Sequence, residues 1–189
     1  MEVSHLIYLK EGNIPFNFCF EDDISQEANN TYQLSFKYPV SDEKWALLKN
    51  EVHLLADDLS GEQEFIIIDV QKGHGYITVY ANQVATLLNG HSVRKIDVDR
   101  ANGMTVMNKL VEGLKRECPF TFFSDIQDKH TLRLDNVSVI DALTKGQHSI
   151  IGQWGGDLIR DKYSVRLLKN GGIENESLFM YKKNLSEYK

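Results

Sequence analysis

The stretch that decides the fold is residues 64–88, EFIIIDVQKGHGYITVYANQVATLL. Two runs rich in β-branched and aromatic residues lie on either side of residues 72–75, KGHG. Glycine readily adopts the positive φ that a tight connection needs, so this pattern predicts a β-hairpin. We expect residues 65–70 to pair with residues 76–81, and a short helix to follow at residues 82–88.

Strand patterns continue on both sides of the hairpin. Residues 32–38 alternate apolar and polar side chains, which is typical of a half-buried strand, and Pro39 closes it. Residues 44–58 mix two periods, and we predict an extended centre with a helical turn near Trp45. Four further strands contain alternating, aromatic or β-branched residues, and a fifth is predicted near the carboxyl end. They are residues 119–126, 131–135, 149–154, 162–168 and 176–183.

Two segments have helical patterns. From Met104 the apolar residues follow the i, i+3, i+4, i+7 spacing of one helical face, and the predicted helix ends before Pro119. The residues of this face are Met107, Leu110, Val111, Leu114 and Cys118. A second, short helix is predicted at residues 139–145, with Ser138 as its N-cap and Gly146 after its last turn.

The composition excludes several classes of protein. The 189 residues are 42% hydrophobic and 25% charged, which is ordinary for a globular protein, and the formal net charge is −6. Lysines and arginines are scattered along the chain, which disfavours specific nucleic-acid binding. The amino terminus has no apolar stretch of signal-peptide length and no membrane segment follows, so we expect synthesis in the cytoplasm. Cys19 and Cys118 are far apart and are expected to be buried thiols.

Carboxylate clusters offer the first candidates for chemistry. Residues 21–23 and 56–58 contain adjacent acids, but neighbours on an extended chain point to opposite faces, so we expect solvated turns. Residues 97–103, DVDRANG, begin like a calcium loop. Ala101 occupies a ligand position there and Asn108 replaces the bidentate glutamate, so this interpretation is rejected.

Trp154 and His74 are the remaining candidates. Trp154 precedes Gly155 and Gly156, and its flat face would suit a sugar ligand, but a core or interface tryptophan is the favoured interpretation. His74 lies between two glycines at a hairpin tip and is expected to be solvated. The residues therefore predict no catalytic, cofactor-binding or metal-binding site, and they do not identify interface residues.

With these segments in order, the chain resembles the amino-terminal part of the prophage tail endopeptidase family, also called phage minor structural proteins or tail-associated lysins. The resemblance runs nearly end to end, and residues 138–172 are its most specific block. Its segments are YQLSFKYPV with KWALLKNEV, the 65–88 hairpin, TVMNKLVEGL leading to PFTFFSDI, SVIDALTKGQHSIIGQWGGDLIRDKYSVRLLKNGG, and LFMYKKNL.

The resemblance implies a structural role in the virion of a phage or prophage of a Gram-positive host. Proteins of this family form a trimeric hub at the tail tip, docked on the distal tail protein, and close the tail tube. The tape-measure protein is a further implied partner. The implied fold is α+β and β-rich: a hub-like β-barrel of residues 1–97 plus 176–189, interrupted by an inserted α+β domain of residues 98–175.

The family's name refers to peptidoglycan cleavage, which resides in further carboxyl-terminal modules where these are present. No family catalytic residue has a matching position here, so we expect this chain not to be an enzyme and to need no cofactor. The alternative is a cell-wall-binding or peptidoglycan-degrading tail protein. A host-receptor adhesin is a third interpretation, and it predicts that cell-wall saccharides quench the fluorescence of Trp154 or Trp45.

Overall fold

The structure is a computed structural model that describes residues 5–27, 32–58 and 61–171. Within these residues the chain forms twelve strands in three sheets, three α-helices and two 3₁₀ helices. The architecture is β-rich, as the sequence predicts. The strand predicted at residues 176–183 lies outside the described residues, and so does the predicted return of residues 176–189 to a barrel.

Seven strands form one antiparallel sheet, in the order β2-β1-β5-β6-β7-β4-β3. A 3₁₀ helix, Glu43–Leu47, precedes β5 at the position predicted near Trp45. The strands are β1 (Ile7–Leu9), β2 (Ile14–Pro15), β3 (Phe20–Gln26), β4 (Tyr32–Pro39), β5 (His53–Asp58), β6 (Gly61–Lys72) and β7 (Tyr76–Gln83).

This sheet curls into a half barrel. The predicted hairpin is confirmed as β6 and β7, and a register shift between Ile67 and Asp69 bends β6. The curl brings the two edges of the sheet towards each other. The ring of Phe16, just after β2, packs edge-on against Tyr38 of β4 with 5.3 Å between ring centroids. Near the same place, the backbone amide of His5 donates to Asp22 of β3 at 2.6 Å.

The remaining elements form a second group, which begins after the 3₁₀ helix Val84–Gly90. Two strands pair as β8–β10, and three form the order β11-β12-β9, in which β12 and β9 are parallel. These strands are β8 (Ser92–Ala101), β9 (Thr121–Ser124), β10 (His130–Ser138), β11 (Asp157–Asp161) and β12 (Ser164–Leu168). The helices are α1 (Gly103–Glu112), α2 (Val139–Thr144) and α3 (Ile150–Trp154).

Buried apolar residues divide into two core clusters. The first runs from Ile7 to Ala81 and lies within the half barrel, while the second runs from Ala85 to Leu167 and lies among the helices and the smaller sheets. Strand β8 continues through Asp97, where the sequence predicts a domain boundary. The predicted insertion of one domain into the other stays a prediction.

Helix α1 ends at Glu112, earlier than the predicted helix, whose apolar face runs to Cys118 just before Pro119. Asn102 caps its start by accepting a hydrogen bond from the Thr105 amide at 2.9 Å. At its end, the Gly113 carbonyl accepts from the Arg94 amide at 2.8 Å. The chain therefore leaves the helix because the backbone after residue 112 bonds to β8 instead, and Val111 is 46% exposed.

The strand predicted at residues 149–154 is wrong, because this segment is helix α3. The Ser149 hydroxyl accepts from the Gly152 amide at 3.0 Å and so caps the first turn. Gly155, with φ of 67°, ends the helix. A short apolar run such as SIIGQW has no clear period, so the cap decides its structure. The Ser138 cap of α2 is confirmed, with the Asp141 amide donating to its hydroxyl at 3.1 Å.

Candidate functional site

The junction between the two cores is built around Glu64 of β6. This carboxylate is only 3% exposed. Its Oε1 atom accepts from Lys10 Nζ at 2.7 Å and from the Tyr163 hydroxyl at 3.1 Å, and lies 2.6 Å from His53 Nδ1. Glu64 thereby joins the ends of three strand segments of the half barrel to the turn between β11 and β12.

The charge state of this cluster follows from its contacts. Burial would raise the pKa of Glu64, but the hydrogen bonds from Lys10 and His53 outweigh burial, and its pKa is lowered. The hydrogen bond to Glu64 correspondingly raises the pKa of Lys10. Burial and the nearby carboxylate raise the pKa of Tyr163. Glu64 is an ionised and fully engaged carboxylate, whereas a general acid at neutral pH needs a raised pKa.

The tip of the β11–β12 hairpin is held by neighbouring polar residues. Gln63, 1% exposed, accepts from the Lys162 amide at 3.1 Å and donates to Asp161 at 3.2 Å. Gln83, 2% exposed, donates to the Lys162 carbonyl at 3.2 Å. Lys162 Nζ reaches Glu62 at 2.6 Å. These bonds satisfy the buried amides and fix the orientation of the second core on the half barrel.

Sequence reasoning missed this junction. Gln63 and Glu64 directly precede the apolar run FIII of β6, and Gln83 directly precedes Val84 and Ala85; this proximity to apolar segments was the available indication. Buried polar side chains need partners, so their presence in a core strand predicts contact with another element. The identity of that element was hidden, because its residues lie about one hundred positions further along the chain.

An exposed apolar surface lies at the β3 edge of the half barrel, and we call it the β3 patch. It consists of Leu6, Phe18, Phe20 and Val40, which are 58%, 60%, 38% and 42% exposed. Leu6 lines a cavity of about 210 Å³ together with Cys19, which lies between the two phenylalanines. The Phe20 ring packs on Tyr76 at 6.0 Å, beside the Val40 amide, which donates to the carbonyl of residue 75.

A groove of about 710 Å³ lies on the other side of the half barrel, beside the Glu64 cluster. Leu9, Leu47 and Val52 contribute apolar surface to it, and Lys10 and His53 lie on its wall. Both of those polar side chains are already bound to Glu64. Glu11, Lys49 and Glu51 complete the polar lining of the groove, which otherwise offers apolar contact area.

The structure places the predicted acidic turns in strands. Residues 21–23 belong to β3 and residues 57–58 to β5, so the predicted turns are wrong. The predicted solvation is confirmed for Glu21, Asp23 and Asp57, which are exposed. Asp22 accepts from the His5 amide, and Asp58 accepts from the Tyr32 hydroxyl. Both acids are engaged because pairing at these strands brings donors from neighbouring segments close to them.

Trp154 is a core residue, 6% exposed, which confirms the favoured interpretation. Its Nε1 donates to the Ala101 carbonyl at 3.0 Å, and the His130 ring packs edge-on against it at 5.5 Å. Gly155 and Gly156 both adopt positive φ, which lets the chain turn from α3 into β11. His74 is exposed at the hairpin tip, as predicted.

The two cysteines are half-buried free thiols rather than fully buried ones. Burial raises the pKa of Cys19 to about 12. In the described part of the chain, no group of three or more metal-ligating side chains comes together. Residues 97–101 form the end of β8, as rejection of a calcium loop requires. None of the described helices is long and apolar enough to cross a membrane.

This fold is shared with a prophage tail protein. The structure of prophage tail protein gp18 from Listeria monocytogenes EGD-e aligns with 98% of this chain at a TM-score of 0.64 and 14% sequence identity. This chain spans 57% of the length of that protein. A tail protein from Neisseria meningitidis MC58 aligns with 87% of this chain, and with 49% of its own, at a TM-score of 0.48 and 9% identity.

The sequence itself carries less information about relatives. No protein-family model matches it, and no curated protein matches it. The likeness to gp18 therefore rests on the three-dimensional arrangement of the strands and helices.

Proposed function

We propose that this chain is a structural component of a phage tail tip. In this proposal it forms part of the hub that docks on the distal tail protein and closes the tail tube, as the amino-terminal part of a longer tail-associated protein. The observation that carries the proposal is the shared fold over 98% of the chain with the Listeria prophage tail protein. The family resemblance of the sequence supports the finer assignment to the hub.

The two cores and their junction are suited to such a role. A hub must keep its shape while neighbouring subunits pull on it. The buried hydrogen bonds of Gln63, Glu64 and Gln83 fix one core on the other, because breaking them would leave polar groups buried without partners. The exposed β3 patch supplies apolar area of the kind found at protein interfaces.

The proposal assigns no peptidoglycan hydrolysis to these residues. Glu64 has a lowered pKa and is occupied by Lys10, His53 and Tyr163, so it is a poor general acid. The proposal instead places the protein in the virion as a trimer in its full-length context, with the distal tail and tape-measure proteins as neighbours. Adding the chain to a suspension of Gram-positive cell walls should leave the turbidity of the suspension unchanged. A fall in turbidity would contradict this assignment.

A tail hub also has to let DNA pass. The formal net charge of −6 suits a conduit, since a basic lumen would hold phosphates and slow ejection. We expect no retention of duplex DNA at physiological ionic strength. Tight binding that weakens steeply with added salt would contradict the conduit role.

Light scattering of this chain mixed with the distal tail protein encoded next to it is the experiment that tests the proposal. The expected complex contains three copies of the chain on a six-membered ring of the partner. Circular dichroism of the chain alone checks that it is folded before the mixture is measured. A folded chain that forms no complex at micromolar concentration contradicts the docking role.

A further inference from the structure

Large exposed apolar side chains concentrate at one place on this molecule. Nine are exposed among the described residues, and four of them, Leu6, Phe18, Phe20 and Val40, form the β3 patch. The others lie on separate elements: Leu47, Ile68, Leu87, Val111 and Phe123. Contiguous exposed apolar surface rimmed by charge is typical of a protein interface.

The backbone of β3 is poorly suited to accept another strand. Within the described residues β3 forms a ladder only with β4, and the segment before β1 contacts it through the His5 amide, which donates to Asp22. A register shift between Phe20 and Asp23 interrupts the ladder, and Glu21 has φ of 49°. Bulges of this kind protect an edge from strand addition, so a partner must contact the side chains of the patch instead.

The charge beside the β3 patch restricts what the partner can be. Residues 18–27, FCFEDDISQE, contain four acids and no base. Glu21 pairs with Lys37 of β4 and Asp22 with His5, whereas Asp23 is exposed and has no ion pair among the described residues. Two copies that met through the same surface about a two-fold axis would bring these acids together. Like charges in an interface are unfavourable, so the partner surface is expected to be basic and different from the β3 patch.

The same chain carries a surface that fits this description, and we call it the α1 basic surface. It surrounds the exposed Val111 and a groove of about 340 Å³ between the start of β8 and the end of α1. Its basic residues are all exposed: Arg94, Lys95, Lys109, Lys115 and Arg116. Lys95 pairs with Asp97 and Lys109 with Glu112, whereas no ion pair of Arg94 or Lys115 is found among the described residues.

We propose that the β3 patch of one copy docks on the α1 basic surface of the next copy. The two surfaces belong to different cores, so the contact is heterologous and repeats from copy to copy. A repeated heterologous contact generates a ring when the rotation closes. This inference rests on the proposed function, because a ring around the tail tube is what a hub requires, and it names the two surfaces that would form that ring.

Paired charge-reversal variants test the contact by sedimentation velocity over micromolar to submillimolar concentrations. The patch variant is Phe18→Ser with Asp23→Lys, and the basic-surface variant is Arg94→Glu with Lys115→Glu. Asp57→Lys is the matched control, because Asp57 is an exposed strand acid outside both surfaces. The wild type and the control should assemble with rising concentration, and each paired variant alone should remain monomeric.

Mixing the two paired variants distinguishes this contact from every other mode of assembly. Each retains one intact surface, so the mixture should form complexes that neither variant forms alone. A wild type that stays monomeric, a patch variant that assembles normally, or a mixture that stays monomeric would each overturn the proposal.

The proposed function has a separate readout, which is binding of the same variants to the distal tail protein. If the chain binds the distal tail protein but never self-associates, the ring contact is refuted and the docking role stands. If the chain forms rings through these two surfaces but does not bind the distal tail protein, the ring contact stands and the docking role is refuted.

Discussion

Tyr163 and Glu64 lie 99 positions apart in the chain, yet the Tyr163 hydroxyl donates to Glu64 Oε1 at 3.1 Å. The bond connects the β11–β12 turn to the middle of the half barrel. Lys10 Nζ also lies 5.6 Å from the centre of the Tyr163 ring, so the cation that neutralises Glu64 also contacts the tyrosine. This small cluster is the natural place to test how the two cores are joined.

Replacing Glu64 by Gln should destabilise the protein by about 2 kcal/mol, because Lys10 and His53 lose their carboxylate while Lys10 remains partly solvated. Urea unfolding followed by circular dichroism measures the change. Glu62→Gln is the matched control, since Glu62 lies on the same strand and is more exposed, and we expect a smaller loss. Equal losses in the two variants would contradict a special role for Glu64.

The contribution of Glu64 to the free energy of unfolding should decrease as the pH falls. Its pKa is lowered in the folded protein, so its contribution is complete above the ordinary glutamate pKa of about 4.3 and is lost as the pH falls through the folded value. The stability difference between wild type and Glu64→Gln should therefore shrink on acidification and stay constant around neutrality. A difference that grew in acid would refute this charge assignment.

Cell-wall saccharides should not quench Trp154. The indole is buried and its Nε1 is bound to the Ala101 carbonyl, so no ring face is open to a sugar. Trp45 is only half-buried, and a Trp45→Phe variant isolates the Trp154 signal. Acrylamide should quench that variant less than it quenches Trp154→Phe. Saturable quenching of Trp154 by saccharides would support the adhesin interpretation.

Cys19 should react slowly with thiol reagents at neutral pH. Burial raises its pKa to about 12, and the reactive thiolate is therefore scarce. A Cys118→Ser variant leaves Cys19 as the single thiol, and the rate with a disulfide reagent can be followed by absorbance. The same variant in urea should react much faster. Similar rates in both conditions would mean that Cys19 is not shielded by the fold.

The local features of the fold were predictable from sequence. The β6–β7 hairpin has two glycines between strand-forming runs, and Ser138 followed by a short apolar segment is a helix start. Helix α3 was not predictable in this way, because its six-residue apolar run fits a strand or a helix and the Ser149 cap decides between them. Helix α1 ends where its backbone begins to form hydrogen bonds with β8. The local sequence pattern of the helix does not indicate these bonds.

The candidate surfaces were harder to predict than the fold. The Glu64 cluster depends on Lys10 and Tyr163, which approach it from opposite directions along the chain. The curl of the sheet brings Leu6, at the start of the chain, to the same cavity as Cys19, which lies between the two phenylalanines of the β3 patch. Both groups of residues come together only when distant parts of the chain pack against each other. The sequence therefore shows that charged and aromatic residues are present, but not which of them are in contact.

The separation of Glu64 from Tyr163 also sets an order of events during synthesis. A ribosome releases the strands of the half barrel long before it releases the β11–β12 turn, and domains generally fold as units from the amino terminus. We therefore expect Glu64 to remain in contact with water on the nascent chain, bound to Lys10 and His53. Its burial would follow the release of Tyr163, so that the two cores join late in translation.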